Sequence, residues 1–302
     1  MNEMNPRAVC FGEILWDVFP HKSMIGGAPF NVAQRLNSYG VKTTIISSLG
    51  NDLLGERAKQ YMVQNGLNND GISCHHNLST GQVIVSLDGQ GVPKYKIEDY
   101  AAWDEIQVSN KVNQYVAKSD VFIFGSLAMR NTSNQATLEK IWPDRAFKVF
   151  DVNLRPPHFD WNWMNRILLR SDLIKVNHQE MCFLLSDKFL VHTQSIHNQC
   201  IRLSKKYPNK LLCVTMGENG AYLFDRKTWY RDPGYKVKVI DTVGSGDAFL
   251  ATLIHSLILQ KNDPSTALTQ AVKIGSIVAA KAGANAIIGS QDWDLLLERN
   301  SL

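Results

Sequence analysis

The sequence lacks most of the marks that would place it outside the soluble enzymes. Its five cysteines, Cys10, Cys74, Cys182, Cys200 and Cys213, form no CxxC pair and no short spacing, which excludes a zinc ribbon or a disulfide framework. Cys10 and Cys213 sit inside apolar runs and read as small core residues of a protein in a reducing compartment. No apolar run approaches the ~18 residues of a membrane span. Met1 to Arg7 lack the apolar core of a secretory signal, so a cytoplasmic location is expected. Lys and Arg number 32 against 28 Asp and Glu, for a net charge of +4. They are scattered rather than gathered into a stripe, so no nucleic-acid partner is expected. The histidines show no HExxH spacing, and there is no internal repeat, no low-complexity tract and no linker rich in Pro, Gly or Ser.

What is present is a chain of 302 residues, 44% hydrophobic and 20% charged, enough for a substantial core. Short β-branched apolar runs recur at Ala8 to Phe11, Thr43 to Ser48, Val121 to Phe124, Lys148 to Val152, Leu173 to Val176 and Leu211 to Thr215. Helix-length amphipathic stretches separate them, the pattern of a parallel sheet covered on both faces. The fold class is α/β, doubly wound. Thr80 to Ile97 departs from that rhythm: its residues alternate around Asp88-Gly89-Gln90-Gly91, which predicts a small antiparallel flap outside the main sheet. A second hairpin is expected over Val214 to Phe224, turning at Glu218-Asn219-Gly220.

The chemistry concentrates in Asp241-Thr242-Val243-Gly244-Ser245-Gly246-Asp247-Ala248-Phe249. Tyr235 to Ile240 before it alternates like a strand, and Ala248 to Leu259 after it is apolar at helical spacing. A strand, a glycine-rich turn and a helix start gather free backbone N–H groups and the positive end of the helix dipole at one point, an anion site. Asp247, in the first turn, can cap the helix. It can equally serve as a general base while the N–H groups stabilise charge on a transferring group.

This stretch resembles the second signature of the PfkB, or ribokinase-like, carbohydrate kinases, with Ser245 where Ala is usual. Gly26-Gly27-Ala28-Pro29-Phe30-Asn31, together with Leu49-Gly50-Asn51-Asp52 and Gly55, is similar to the first signature of that family. Lys175-Val176-Asn177-His178-Gln179-Glu180 resembles its N-x-x-E element, and Val214 to Gly220 its nucleotide-side turn. Ala279 to Ala286 looks like its small-residue adenine segment. The resemblance runs from about Cys10 to Gly289, with the motifs in family order.

The resemblance implies a single ribokinase-like domain over 1–302, a three-layer sandwich with a mostly parallel central sheet. It also implies a small β-sheet lid from excursions at about 13–25 and 80–104. It assigns Asp247 as catalytic base and Gly244, Ser245 and Gly246 as the anion hole. It places Asp17, Gly26, Gly27 and Asn31 on sugar hydroxyls, Thr215, Gly217 and Gly220 with Gly244 and Gly246 on ATP, and Asn177 and Glu180 around Mg²⁺ through water. A monovalent cation such as K⁺ and a homodimer through the lid are compatible with it. Relatives acting on phosphorylated sugars carry Lys after the glycine pair; Ala28 stands there, so an unphosphorylated sugar is expected.

Ala101-Ala102-Trp103-Asp104 is similar to a segment of bacterial fructokinases, and Trp103 is either a sugar-stacking or a core aromatic. Asp151-Val152-Asn153-Leu154-Arg155 is similar to an element shared by fructokinases and 2-keto-3-deoxygluconate kinases, in which Arg155 could hold a carboxylate or a phosphate. The expected reaction is phosphoryl transfer from MgATP to the primary hydroxyl of fructose, giving fructose 6-phosphate, with the flap and Asp17 closing over the sugar. A 2-keto-3-deoxygluconate kinase, a ribokinase-type sugar kinase and a non-catalytic sugar-binding regulator are the alternatives.

Overall fold

The computed structural model describes residues 5–87, 93–185, 195–208, 211–296 and 298–299. The chain forms two compact units, Met1–Ala146 and Phe147–Leu302.

The first unit contains β1 (Arg7–Phe11), β2 (Leu15–Val18), β3 (Ser23–Gly26), α1 (Ala28–Ser38), β4 (Lys42–Gly50) and α2 (Leu53–Gln64). It continues through β5 (Ile72–His75), β6 (Gly81–Leu87), β7 (Pro93–Ile97), α3 (Asn110–Ala117), β8 (Val121–Gly125) and α4 (Thr132–Lys140). Strands β8-β1-β4-β5 lie side by side and all parallel. The apolar runs in β1 and β8 are buried nearly end to end, as a strand covered on both faces requires.

The stretches expected to leave the main sheet build a separate four-stranded sheet, β3-β2-β6-β7. The β6/β7 hairpin is antiparallel as expected, and its predicted turn, Asp88 to Gly91, lies outside the described residues. The alternation did not reveal that β2 would pair with β6 in parallel and bring β3 with it. Leu15, Val83 and Val85 form the small core of this sheet, with Phe19 and Ile97 packed on it.

A polar knot joins the end of β4 to the start of this excursion. Asp52 caps α2, its Oδ1 accepting the Gly55 N–H at 2.8 Å, and its carboxylate also accepts the Thr80 N–H and hydroxyl, each at 2.7 Å. The Thr80 hydroxyl oxygen in turn accepts the Gly50 N–H. The signature residues Gly50, Asp52 and Gly55 are thus explained by structure: a side chain at Gly55 would strike the Gly50 carbonyl.

The second unit runs through β9 (Phe147–Asp151), α5 (Trp161–Arg170), β10 (Leu173–Asn177), α6 (His178–Leu185), α7 (Ile196–Lys206) and β11 (Leu211–Thr215). It ends with β12 (Ala221–Phe224), β13 (Trp229–Asp232), β14 (Tyr235–Lys236), α8 (Ser245–Leu253), α9 (Pro264–Ala279) and β15 (Glu298–Arg299). β9, β10 and β11 are parallel, and β12 and β13 return antiparallel, the first through the hairpin expected at Glu218 to Gly220. The fold is therefore α/β, mostly parallel in its larger sheet, with a smaller separate sheet.

The strand expected over Tyr235 to Ile240 is cut short after Lys236. The Ile240 and Asp241 N–H groups bond the Ala279 carbonyl at the end of α9 rather than a neighbouring strand, and Val239 and Ile240 are 60% and 63% exposed. The apolar stretch to Leu259 is helical throughout, but it widens into π-helix over Ile254–Leu259. All five cysteines are free thiols, with Cys10, Cys200 and Cys213 buried. Among the described residues no helix is long and apolar enough to cross a membrane.

Candidate active site

The glycine-rich turn has the geometry its sequence predicts. Gly244 precedes α8 in a left-handed conformation, φ 76°. A Cβ there would come within 2.3 Å of the Ala284 Cβ and 2.4 Å of its Cα, so only glycine fits. The turn is laced to its surroundings: the Asp241 carboxylate accepts N–H bonds from Val243 at 3.0 Å and Gly283 at 3.1 Å. The Ser245 hydroxyl donates to the Thr242 carbonyl at 2.9 Å. Asp247 lies in the first turn of α8 and is half-buried. The turn therefore presents a helix N-terminus with a carboxylate beside it, held from both sides.

A buried charge lies next to this turn, at a position that reads in the sequence as an ordinary strand lysine. Lys175, on β10, is 6% exposed, and its Nζ contacts the two oxygens of Asp151 at 3.0 and 3.1 Å. Asp151 sits directly opposite on β9 and is itself 3% exposed. A Cβ added to Gly246 would lie 3.4 Å from the same Nζ, so the ammonium borders the anion turn. Burial alone pulls the ammonium down, but the charges of Asp151, Glu180 and Asp247 outweigh it and hold it above the ordinary lysine value. One lysine thus serves three carboxylates.

Asn177 and Glu180 form a reciprocal pair at the start of α6. The Asn177 N–H donates to Glu180 Oε2 at 2.8 Å, and the Glu180 N–H donates to Asn177 Oδ1 at 2.9 Å, a capping-box arrangement. Glu180 is 5% exposed, and its Oε1 accepts the Leu154 N–H at 2.8 Å. Burial pushes its carboxyl up, against the lowering charge of Lys175. Through Leu154 it fixes the loop after β9 that carries Arg155, which is exposed and donates to the neighbouring Leu154 carbonyl at 2.9 Å.

Thr215, Gly217 and Gly220 come together with Ser245 and Gly246 around one cavity of about 630 Å³ within the second unit. Gly220 is obligatory, since a Cβ there would meet the Asp232 carbonyl at 2.0 Å. Apolar walls come from Val239, Phe249 and Val272, and the floor from Gly275, Ser276 and Ala279 of α9. Of the small-residue segment expected to line this space, Ala279 does so, while Ala284 packs against Gly244 instead. Gly275 and Ser276 were missed because small residues at helical spacing carry no distinguishing sign in a sequence.

Within the first unit, Asp17 on β2 faces β3, where a Cβ on Gly26 would lie 2.8 Å from its Oδ2. Gly27 has φ 112°, and a Cβ there would meet the Glu13 carbonyl at 2.3 Å. Glu13, 3% exposed, accepts the Ala28 N–H at 3.2 Å and so holds the entry to α1. Asn31 lies one turn in, 5% exposed, its N–H bonded to the Gly27 carbonyl. Asp17, Gly26, Gly27 and Asn31 are thereby gathered at one strand–helix junction.

Trp103 does not fit the stacking role. It is 1% exposed, its ring is covered by the Arg130 guanidinium at 4.2 Å, and its indole edge takes the place a side chain at Gly81 would occupy. Arg130 is in turn fixed by Asp104 at 2.6 and 2.7 Å. The aromatic is a core residue at the foot of the small sheet, with no face open to a sugar.

Residues 10–290 match the description pfkB family carbohydrate kinase. The chain belongs to that family. The kinase is 28% identical over 277 residues to a probable fructokinase-5 of Arabidopsis thaliana, covering 83% of each chain. An uncharacterised sugar kinase of Pyrococcus horikoshii superposes with a TM-score of 0.78 at 25% identity, over 92% of this chain and 93% of that one. The fold is shared as well with a Xylella fastidiosa fructokinase crystallised with ATP, TM-score 0.79 at 20% identity over 93% and 94% of the two chains. The kinase is accordingly a phosphotransferase acting on a sugar, and the regulator alternative has no support.

Proposed function

We propose that this kinase transfers the γ-phosphoryl group of ATP to the primary hydroxyl of fructose. The observation that carries the reading is the anion turn, whose Ser245 and Gly246 line the 630 Å³ cavity. ATP places its phosphates at the helix N-terminus and its base between the apolar walls of that cavity. Asp247 takes the proton from the attacking hydroxyl, and the N–H groups of the turn stabilise charge on the transferring phosphoryl group. Asp17, Gly27 and Asn31 bind the sugar hydroxyls.

The donor set suits Mg²⁺ held through water: the Asn177 and Glu180 side-chain oxygens already accept backbone N–H bonds, which orients their remaining lone pairs without supplying a full cage. When bound, Mg²⁺ neutralises phosphate charge. Lys175 adds a fixed positive charge on the same side. A monovalent cation, a cytoplasmic location, one functional domain with the small sheet as lid, and a dimer through that sheet complete the proposal.

Fructose is supported by the fructokinase relatives, and an unphosphorylated acceptor by Ala28 in place of a lysine. The rival reading, a keto-deoxy aldonate as acceptor, rests on the exposed Arg155, which can hold a carboxylate bidentately. A coupled ADP-release assay with MgATP, with and without K⁺, against fructose, ribose, other hexoses and 2-keto-3-deoxygluconate decides between them. Preference for fructose is expected; preference for the keto acid, lost in Arg155→Ala, would move Arg155 into the substrate site and displace the fructose reading.

A further inference from the structure

A second cavity, about 460 Å³, lies wholly within the first unit at the amino ends of β1 and β4. The signature residues Asn51 and Asp52 of this unit follow the opposite, carboxyl end of β4. Carboxyl ends are where open α/β sheets bind their ligands, so this cavity has no place in the phosphotransfer reaction.

Its lining is chemically one-sided. Arg7, Lys42, Lys111 and Lys118 all contribute to it, and no aspartate or glutamate does. Lys42 and Lys118 are exposed and enter no ion pair among the described residues. Two carboxylates outside the lining bond to lining residues. Asp70 accepts from Lys111 Nζ at 2.7 Å and from the Tyr115 hydroxyl at 2.5 Å, and Asp120 accepts the Arg7 backbone N–H at 2.8 Å. Asp70 therefore fixes one cation and one hydroxyl of the lining instead of discharging the whole site. Like charges gathered in a concavity repel one another and focus a positive potential into it. A bound anion would relieve that repulsion.

The remaining polar lining comes from the amides of Asn37, Asn68 and Gln114. Amides both donate and accept, which suits hydroxyl groups, while guanidinium and ammonium groups suit phosphate. The volume falls in the ~300–1,000 Å³ range of small-molecule sites.

We propose that this cavity binds a small phosphorylated sugar, its phosphate among Arg7, Lys42 and Lys118 and its hydroxyls on the amides, as a second site distinct from the catalytic one. The kinase is thereby equipped to sense a sugar phosphate without consuming it.

Isothermal titration of glucose 6-phosphate into the full chain, with glucose as the neutral control, tests this directly. The phosphate ester binds and glucose does not, and the affinity falls as salt rises. The double variant Lys42→Ala/Lys118→Ala binds at least tenfold more weakly while keeping its ADP release with fructose, and each single variant shows a smaller loss in the same direction. Absence of binding to the parent chain, equal affinity in parent and double variant, or a loss absent from both single variants would each overturn the proposal.

Discussion

Replacing Lys175 by methionine removes one charge and little volume, and its consequence follows from the burial of its neighbours. Asp151 is 3% exposed and Glu180 5% exposed, and both oxygens of Asp151 rest on the lysine Nζ. Breaking a buried pair by removing one partner strands the other charge, at a cost of roughly 3–5 kcal/mol. Glu180 and Asp247 also lose the cation that favours their charged forms, which places Lys175→Met toward the upper end of that range. Removing the pair together, in Lys175→Met/Asp151→Leu, returns part of the loss, because apolar replacements of similar volume leave no stranded partner. The return is incomplete, since Glu180 and Asp247 remain. Chemical denaturation of the parent, both single variants and the double variant measures the coupling. A loss below about 1 kcal/mol in Lys175→Met, the scale of exposed pairs, would refute the claim that this lysine is the shared counter-ion.

Other consequences are more local. Gly244→Ala demands a left-handed alanine, about 1–2 kcal/mol, and displaces the turn from the backbone of Ala284; turnover falls about 10²-fold, as for a ~1 Å misplacement of a catalytic group. Adding Ala284→Gly does not restore it, because the Cα of residue 284 remains 2.4 Å from the new methyl group, and steady-state kinetics on the two variants check this. Asp52→Ala removes a helix cap and the Thr80 knot, lowering stability by about 0.5–2 kcal/mol at neutral pH in thermal melts. Burial raises the Asp52 carboxyl, but hydrogen bonds from Thr80 and Gly55 prevail and hold it below the ordinary carboxylate value. Its contribution is therefore full above about pH 4 and fades as pH falls through the depressed value, so parent and variant melting temperatures converge in acid.

The parallel strands were legible because their apolar runs are continuous, and the anion turn because its glycines run directly into a helix start. Asp247 was placed on the right turn for that reason. Lys175 was illegible: a lysine in a strand ordinarily reads as the solvent-facing half of an alternation, and only the register that sets it against Asp151 on β9 buries it. Trp103 stood between two roles in the sequence, and a long-range partner, Arg130, decided it. Tyr235 to Ile240 alternates as a strand does, yet its last residues turn to the end of α9 because that carbonyl, not a strand edge, meets their N–H groups. These three features share a cause. Each depends on what a distant segment offers, whereas the turn at Gly244 carries its determinants within a few residues.

The role of Asp247 as the base of a fructose phosphotransfer is measured most directly by its substitution. In Asp247→Asn, assayed by ADP release at saturating MgATP and fructose, kcat falls about 10²–10⁴-fold, the range for loss of a general base, while nucleotide binding measured by titration stays within a few-fold of the parent. Turnover close to the parent value in a folded Asp247→Asn protein would leave the carboxylate as a helix cap and contradict the account.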